Sequence, residues 1–390
     1  MPNSGVPPPS FPTIRSTRNA HKGDPMSKAF PALIAMVLSL AGCAASEQPP
    51  VSEEAAAPDR PLEIYWVDVD GGAATLIVTP GGESVLVDAG EDRESHAARI
   101  HRVASEVAGL TQIDHFVATH WHGDHYAGAT RVHERIPIRN FYDRGFPTES
   151  DYAAKGDLKR AREGIAKYRE TTRGESRTLK PGDEIALRQS AGLPEVGLHC
   201  LASAGEFLPT SGNFTRNPSC SARTSKPPDE TDNGQSLVLL LSYGDFSFLD
   251  TGDLTWELEA DLVCPVNRVG TVDLFQISHH GLDSSNNPVM IESIRPRVVV
   301  VNNAPKKGAE PETMKTLMRV AGIETIWQVH RNLRTGPELN TDPRFIANPK
   351  GEAGQFIKAS VRADGTFSVQ IGGEGTLKSY AGESSEATGG

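Results

Sequence analysis

Thr119-His120-Trp121-His122-Gly123-Asp124-His125 is the stretch on which the reading of this chain turns. Three histidines and an aspartate fall within six positions, in the pattern His-x-His-x-Asp-His. An apolar, strand-like run from Ile113 to Ala118 precedes them, and a helix-like run begins at Tyr126. Imidazole and carboxylate are the ligands that zinc and similar first-row metals prefer. A hydrophobic core gains nothing from gathering such groups, since buried polar side chains need partners. The cluster therefore predicts a metal site on a loop between two regular elements.

The surrounding pattern is layered α/β. Leu62 to Asp70, Ala74 to Thr79 and Ser84 to Val87 read as short strands separated by Gly-Gly and Pro-Gly-Gly turns. A helix follows over about 94–108, with Ile100, Val103 and Val107 at helical spacing. Residues 137–182 are charged, helix-prone and poor in large apolar side chains, which predicts a helical insertion, either a lid over the site or a solvated helix. A second half repeats the grammar. A hairpin turns at Tyr243-Gly244 and runs into Thr251-Gly252-Asp253. A strand from Asp273 to Ile277 ends in Ser278-His279-His280-Gly281. Val298 to Val301, Thr325 to Val329, Ile357 to Val361 and Thr366 to Ile371 complete the strands. Asp88, at the end of Val85-Leu86-Val87, is a fourth polar residue at a strand terminus. Ligands leaving one edge of a sheet can converge, and open α/β sheets place their sites there.

The N-terminus reads separately. Residues 1–25 are a Pro- and Ser-rich leader, unstructured or untranslated. From Met26, Lys28 followed by the apolar run Ala29–Leu40 and then Leu40-Ala41-Gly42-Cys43 reads as a lipoprotein signal peptide over 26–43. The apolar run is short for a membrane span. The expected product is an exported protein on the periplasmic side of the envelope, anchored to the membrane by a lipid on Cys43. Residues 44–61 would be a flexible tether, 62–375 the folded domain and 376–390 a disordered tail.

The formal charge is −11, and Arg15, Arg18, Lys22 and Lys28 all lie before Cys43. That balance disfavours a grip on long nucleic acid, which calls for a basic face, and favours a small substrate. Cys200, Cys220 and Cys264 show no metal-ligand spacing. Cys200 with Cys220 is one possible disulfide across a loop.

The arrangement resembles the metallo-β-lactamase superfamily of hydrolases over roughly 62–372. Within it the chain looks most like the soluble hydrolase domain of competence-channel (ComEC-type) proteins and their free-standing relatives. Asp68-Val69-Asp70-Gly71-Gly72, Pro80-Gly81-Gly82 with Val85 to Gly90, Ser236 to Leu239 before Thr251-Gly252-Asp253, and His279-His280-Gly281 carry that closer likeness. The resemblance implies an αββα four-layer sandwich and two divalent metal ions, zinc or else manganese. His120 and His122 would hold one metal, Asp124 and His125 the other. Asp253 would bridge, and His280 would complete the second, with His279 as the alternative because neighbours leaving a strand point in opposite directions. The residue not binding metal would face substrate. Asp88 would orient a ligand histidine. Catalysis would use a metal-bound hydroxide on a phosphoester, with Asp124 positioning the nucleophile and His279 and His330 as candidates for substrate contact or acid. Asn302, Asn303, Lys306 and Lys307 are candidates to touch an anionic substrate. His199, in a strand, reads as structural. One departure is visible: where many superfamily members carry another histidine, this chain has Thr231-Asp232-Asn233-Gly234-Gln235-Ser236, so Asp232 or Asn233 would supply an oxygen or the first metal would be loosely held. The alternatives are a lactamase- or lactonase-type C–N or C–O hydrolase, and a catalytically silent binding component of an envelope or DNA-uptake machine.

Overall fold

The computed structural model describes residues 60–210, 215–351 and 354–382. The leader, the signal peptide with Cys43 and nearly all of the expected tether lie outside the described residues.

In chain order the first strands are β1 (Leu62–Trp66), β2 (Thr75–Val78), β3 (Ser84–Val87), β4 (Ile113–Val117), β5 (Ile138–Asp143) and β6 (Arg177–Thr178). The second half supplies β7 (Val196–Ser203), β8 (Glu206–Phe207), β9 (Val238–Tyr243), β10 (Phe246–Asp250), β11 (Leu274–Gln276), β12 (Val298–Val301), β13 (Thr325–His330) and β14 (Ile346–Asn348). The chain closes with β15 (Ile357–Val361), β16 (Phe367–Ile371) and β17 (Leu377–Tyr380). Two sheets result, ordered β17-β16-β15-β1-β2-β3-β4-β5-β6 and β14-β13-β12-β11-β10-β9-β7-β8. The helices are α1 (Glu94–His101), α2 (Gly123–Tyr126), α3 (Ala129–Arg135), α4 (Glu149–Ala154), α5 (Gly156–Thr171), α6 (Trp256–Val263), α7 (Pro288–Ile294) and α8 (Pro311–Arg319).

Strand alternation builds the layers, because successive side chains face opposite sides of a sheet. Leu62, Ile64 and Trp66 join Val298, Val300 and Trp327 in a core between the sheets. Trp66 meets Phe248 edge-on across that core, with ring centroids 5.6 Å apart. Tyr65 and Val67 turn instead to a core under the first set of helices, and Val299 and Val301 to a core under the second set. Three stacked cores separate four layers, the αββα sandwich expected from the resemblance. No helix among the described residues is long and apolar enough to cross a membrane.

Three expectations need correction. The stretch 137–182 is not wholly an insertion. β5 lies inside the first sheet, parallel to β4, and Leu158, Ile165 and Tyr168 of α5 are buried in the outer core. The folded domain also runs past residue 375: β17 pairs antiparallel with β16, and Tyr380 stacks on Phe367 at 4.7 Å. The disulfide joins Cys220 to Cys264, while Cys200 is a buried free thiol on β7. An inward-facing core position on a strand keeps Cys200 away from both partners.

Candidate metal centre

The parallel strands of both sheets deliver the polar loops to one edge. β3 and β4 are parallel, as are β10, β11, β12 and β13. Asp88 follows β3, the histidine motif follows β4, Asp253 follows β10, His279-His280 follow β11 and Lys307 follows β12.

Asp253 is the centre of the constellation. Its Oδ2 lies 3.1 Å from His125 Nε2, 3.5 Å from both His279 Nε2 and His280 Nε2, and 3.9 Å from His120 Nε2. His125 Nε2 and His280 Nε2 are 3.3 Å apart. Asp124 Oδ2 is 3.3 Å from His280 Nε2 and 3.8 Å from His125 Nε2. These atoms form two overlapping donor triads, His120-His125-Asp253 and Asp124-His125-His280, that share His125.

The donors fit a metal. Four-coordinate zinc with ligands near 2.0–2.1 Å has ligand–ligand edges of roughly 3.3 Å. The contacts of His125 with Asp253 and His280, and of Asp124 with His280, match that edge; those of His120 are wider. His120 and His280 are fully buried, and His120 Nε2 has no hydrogen-bond partner. A buried polar atom without a partner carries a desolvation cost that a cation would remove. These imidazoles and carboxylates are groups that could hold a metal ion.

Electrostatics polarise the cluster even without a cation. Burial opposes ionisation of Asp253, but His125, His280 and His279 outweigh it and hold the carboxyl well below the usual carboxylate range. Burial likewise opposes charge on His125, and Asp253, Asp88 and Asp124 outweigh it, so its imidazole is pushed up. His120 goes the other way, pushed down by burial and by the neighbouring His125.

Outer partners fix the ligands. Asp88 Oδ2 sits 2.7 Å from His125 Nδ1, and Asp88 also accepts from Thr119 N and Thr119 Oγ1. Holding Nδ1 leaves His125 Nε2 turned to the cluster, the usual role of such a carboxylate. Gly72 explains part of the Asp-x-Asp-Gly-Gly run: a Cβ there would collide with Asp124 O, and Ala73 N donates to that same oxygen. Only a bare α-carbon lets β1–β2 close over the histidine motif.

His279 and His280 do not leave a strand alternately. Both are left-handed, at φ 51° and 55°, and Gly281 follows at φ 82°. Left-handed non-glycine residues are strained and cluster at functional sites. The turn, and not strand alternation, sets the two rings, and it brings both Nε2 atoms to 3.5 Å from Asp253 Oδ2. Within this turn His280 is fully buried and belongs to a donor triad. His279 sits at the rim, with Nδ1 3.2 Å from the hydroxyls of Ser284 and Ser285.

His122 stands apart from the triads. Its Nε2 is 3.0 Å from Asp157 Oδ2, at the start of α5. Asp157 also accepts from Asp232 N. Sequence reasoning missed Asp157, because a carboxylate 35 residues from His122 gives no local signal. Asp232 cannot replace the missing histidine. Its carboxylate accepts from Trp121 N at 2.8 Å and is clamped by Arg144 through Nε and Nη2. Asn233 faces the site instead. Its Nδ2 is 3.4 Å from His279 Nε2, and its buried Oδ1 has no partner.

His330 is not brought to the cluster. Its ring is buried and its Nε2 lies 2.8 Å from Asp68 Oδ1, a carboxylate also held by Arg99, Asp70 N and Gly354 N. Its expected acid role is corrected to a bond between β13 and the end of β1, across 262 residues. Asn303 is likewise committed, bonding both N and O of His330's backbone. His199 lies on β7, away from these groups, with its side chain 3.9 Å from Glu184.

No curated protein sequence matches the chain. Among solved structures it is similar to CmlA, a diiron β-hydroxylase from Streptomyces venezuelae, at 14% identity over 63% of this chain and 45% of that one, with a TM-score of 0.34. The chain thus spans about half the length of that relative. It is similar to a diphosphatase of the PhnP family at 14% identity over 62% and 87%, TM-score 0.33. It is also similar to MEM-A1, a subclass B3 metallo-β-lactamase from a soil metagenome library, at 11% identity over 69% and 77%, TM-score 0.29. Residues 67–200 match the family model of the metallo-beta-lactamase superfamily, and the two-sheet architecture is consistent with that fold. The histidine motif and most of β2–β7 lie inside that match.

Proposed function

We propose that this protein hydrolyses a small phosphodiester with two divalent cations, zinc or manganese. Asp124, His125, Asp253 and His280 would hold one cation, and His120 and His122 the other, with Asp253 shared. The observation that carries the proposal is the convergence of four imidazoles on Asp253 Oδ2 within 3.9 Å. When bound, such cations supply Lewis acidity, charge neutralisation and an acidified water.

The chain's own residues prepare the site. Asp88 fixes the ring of His125. Asp157 fixes the ring of His122 through Nε2, leaving Nδ1 as its donor. Asp124 orients the nucleophile. His279, held at Nδ1 by two serine hydroxyls, is left to face substrate. Asn233 in place of an imidazole supports a phosphoester over a β-lactam, because it leaves the His120–His122 side with an oxygen donor. The acidic balance of the chain supports a small substrate over long nucleic acid. The resemblance to competence-channel hydrolase domains supports a phosphodiester as the bond attacked. Export with a lipid on Cys43 belongs to the proposal. The Cys220–Cys264 disulfide supports it, since such bonds persist in oxidising compartments.

Metal analysis of the purified protein, with turnover of bis-p-nitrophenyl phosphate against a chromogenic β-lactam, tests the reading. Bound metal with phosphodiester turnover is expected. Lactam turnover alone would replace it with a C–N hydrolase, and neither metal nor turnover with a binding protein.

A further inference from the structure

Lys307 forms an ion pair with Asp124 Oδ2, the carboxylate oxygen that also faces His280 and His125. The lysine is delivered there by a fixed loop. Ala304 N donates to Lys307 O, closing a tight turn, while Ala309 N donates to His280 O and Glu310 N to Gly281 O. Gly308, at φ +77°, passes so close that a Cβ would collide with His280 O. Asn332 Nδ2 pins the carbonyls of Gly308 and Ala309. The backbone carrying Lys307 is thus locked to the backbone carrying His280.

The neighbouring candidates are excluded. Lys306 is exposed, Asn303 is committed to His330, Arg144 is clamped on Asp232, and Lys155 Nζ donates to Thr231 O. The Lys307 side chain is 38% exposed, and such pairs contribute little to stability. Fold stability therefore does not account for an ammonium on a metal ligand. Were Asp124 engaged as a metal ligand, the Lys307 ammonium would stand beside the site with three donors and no acceptor. Anionic oxygen is its natural partner.

We propose that Lys307 is a positioning and specificity-determining residue, whose ammonium pairs with a non-bridging anionic oxygen of the substrate and selects charged esters over neutral ones. This rests on the phosphoester reading for the substrate's identity, but the binding test stands apart from it. Inorganic phosphate is titrated by calorimetry into the metal-loaded full chain, wild type against Lys307→Met, Lys307→Gln and Lys307→Arg. KM and kcat for bis-p-nitrophenyl phosphate are measured in parallel, and metal affinity by chelator competition. Expected are about tenfold weaker phosphate binding and about tenfold higher KM in the Met and Gln variants, a much smaller change in kcat, metal affinity no weaker than wild type, and substantial recovery with Arg. Equal phosphate affinity in wild type and both uncharged variants overturns the proposal. So does failure of both variants to fold, which would make the lysine structural. Loss of phosphate affinity without phosphodiester turnover in the wild type would sink the proposed function while leaving the role of Lys307 standing.

Discussion

The two sides of the candidate metal centre differ in how completely the protein assembles them. On one side Asp124, His125, Asp253 and His280 make contacts of 3.1–3.8 Å, and Asp88 locks the shared histidine. On the other, His120 stands 3.9 Å from Asp253 with an unpartnered Nε2, His122 is turned to Asp157, and the Asn233 amide lies 3.4 Å from His279 Nε2. The first side draws ligands from both sheets, and its loops are pinned by backbone bonds and close glycine contacts. The second depends on α5 and on the short turn at Asp232–Gln235. The closeness of the donors follows how firmly the loops are tied, and the motif His-x-His-x-Asp-His contributes to both sides.

The largest break of that comparison is expected from Asp253→Ala. It removes the one carboxylate that both sides touch, so metal content measured by mass spectrometry should fall on both sides and activity by more than about 100-fold, beyond what outer partners cause. Retained activity would show that the centre is assigned wrongly. Asp88→Asn should act on both sides, because Asp88 holds His125, which both triads share, and Thr119 Oγ1, which lies 3.1 Å from His120 Nδ1. Losing that carboxylate should weaken metal binding about 10–100-fold, read as two altered phases in a chelator titration; a single altered phase would mean that Asp88 serves one side only. Asp157→Asn should have a smaller effect, a few-fold and limited to the loose side, and Asn233→His should tighten that same phase.

The smallest effect on the centre comes from a group behind it. Glu259 is buried on α6, and burial pushes its carboxyl up to about 7. Its folded value is raised above the unfolded one, so the protonated form stabilises the fold fully below the unfolded value. That contribution is lost as pH rises from about 4.5 through about 7. Glu259→Gln should therefore raise the melting temperature at pH 8 relative to wild type and change little at pH 5, with neither metal phase altered. A shift of this size corresponds to about 3 kcal/mol. Equal melting temperatures at both pH values would show that the carboxyl is not held neutral.

Much of this was legible in the sequence where the signal is local. Alternation in Leu62–Trp66 and the run Val298–Val301 announced buried strands, and ligand-type residues at strand ends announced the site's edge. His279 and His280 were legible as residues but not as geometry, because a left-handed turn replaces the strand exit that their spacing suggests. His330 was misread for a related reason. A histidine at a strand end looks catalytic until a carboxylate 262 positions away claims its ring. Asp157, Arg144 and the Cys220–Cys264 pairing had no local signature at all.

The sequence by itself determined the chemistry on offer: which side chains can hold a cation, and that short alternating strands would carry them to loop ends. Hydrophobic period and ligand type are properties of neighbouring residues, so they are readable without coordinates. Tertiary structure alone decided which of those groups meet. Contacts such as Asp124 with Lys307, His122 with Asp157 and Asp253 with four histidines join segments separated by tens to more than a hundred residues. Such pairings are fixed only when two sheets pack and set their loops at a common edge.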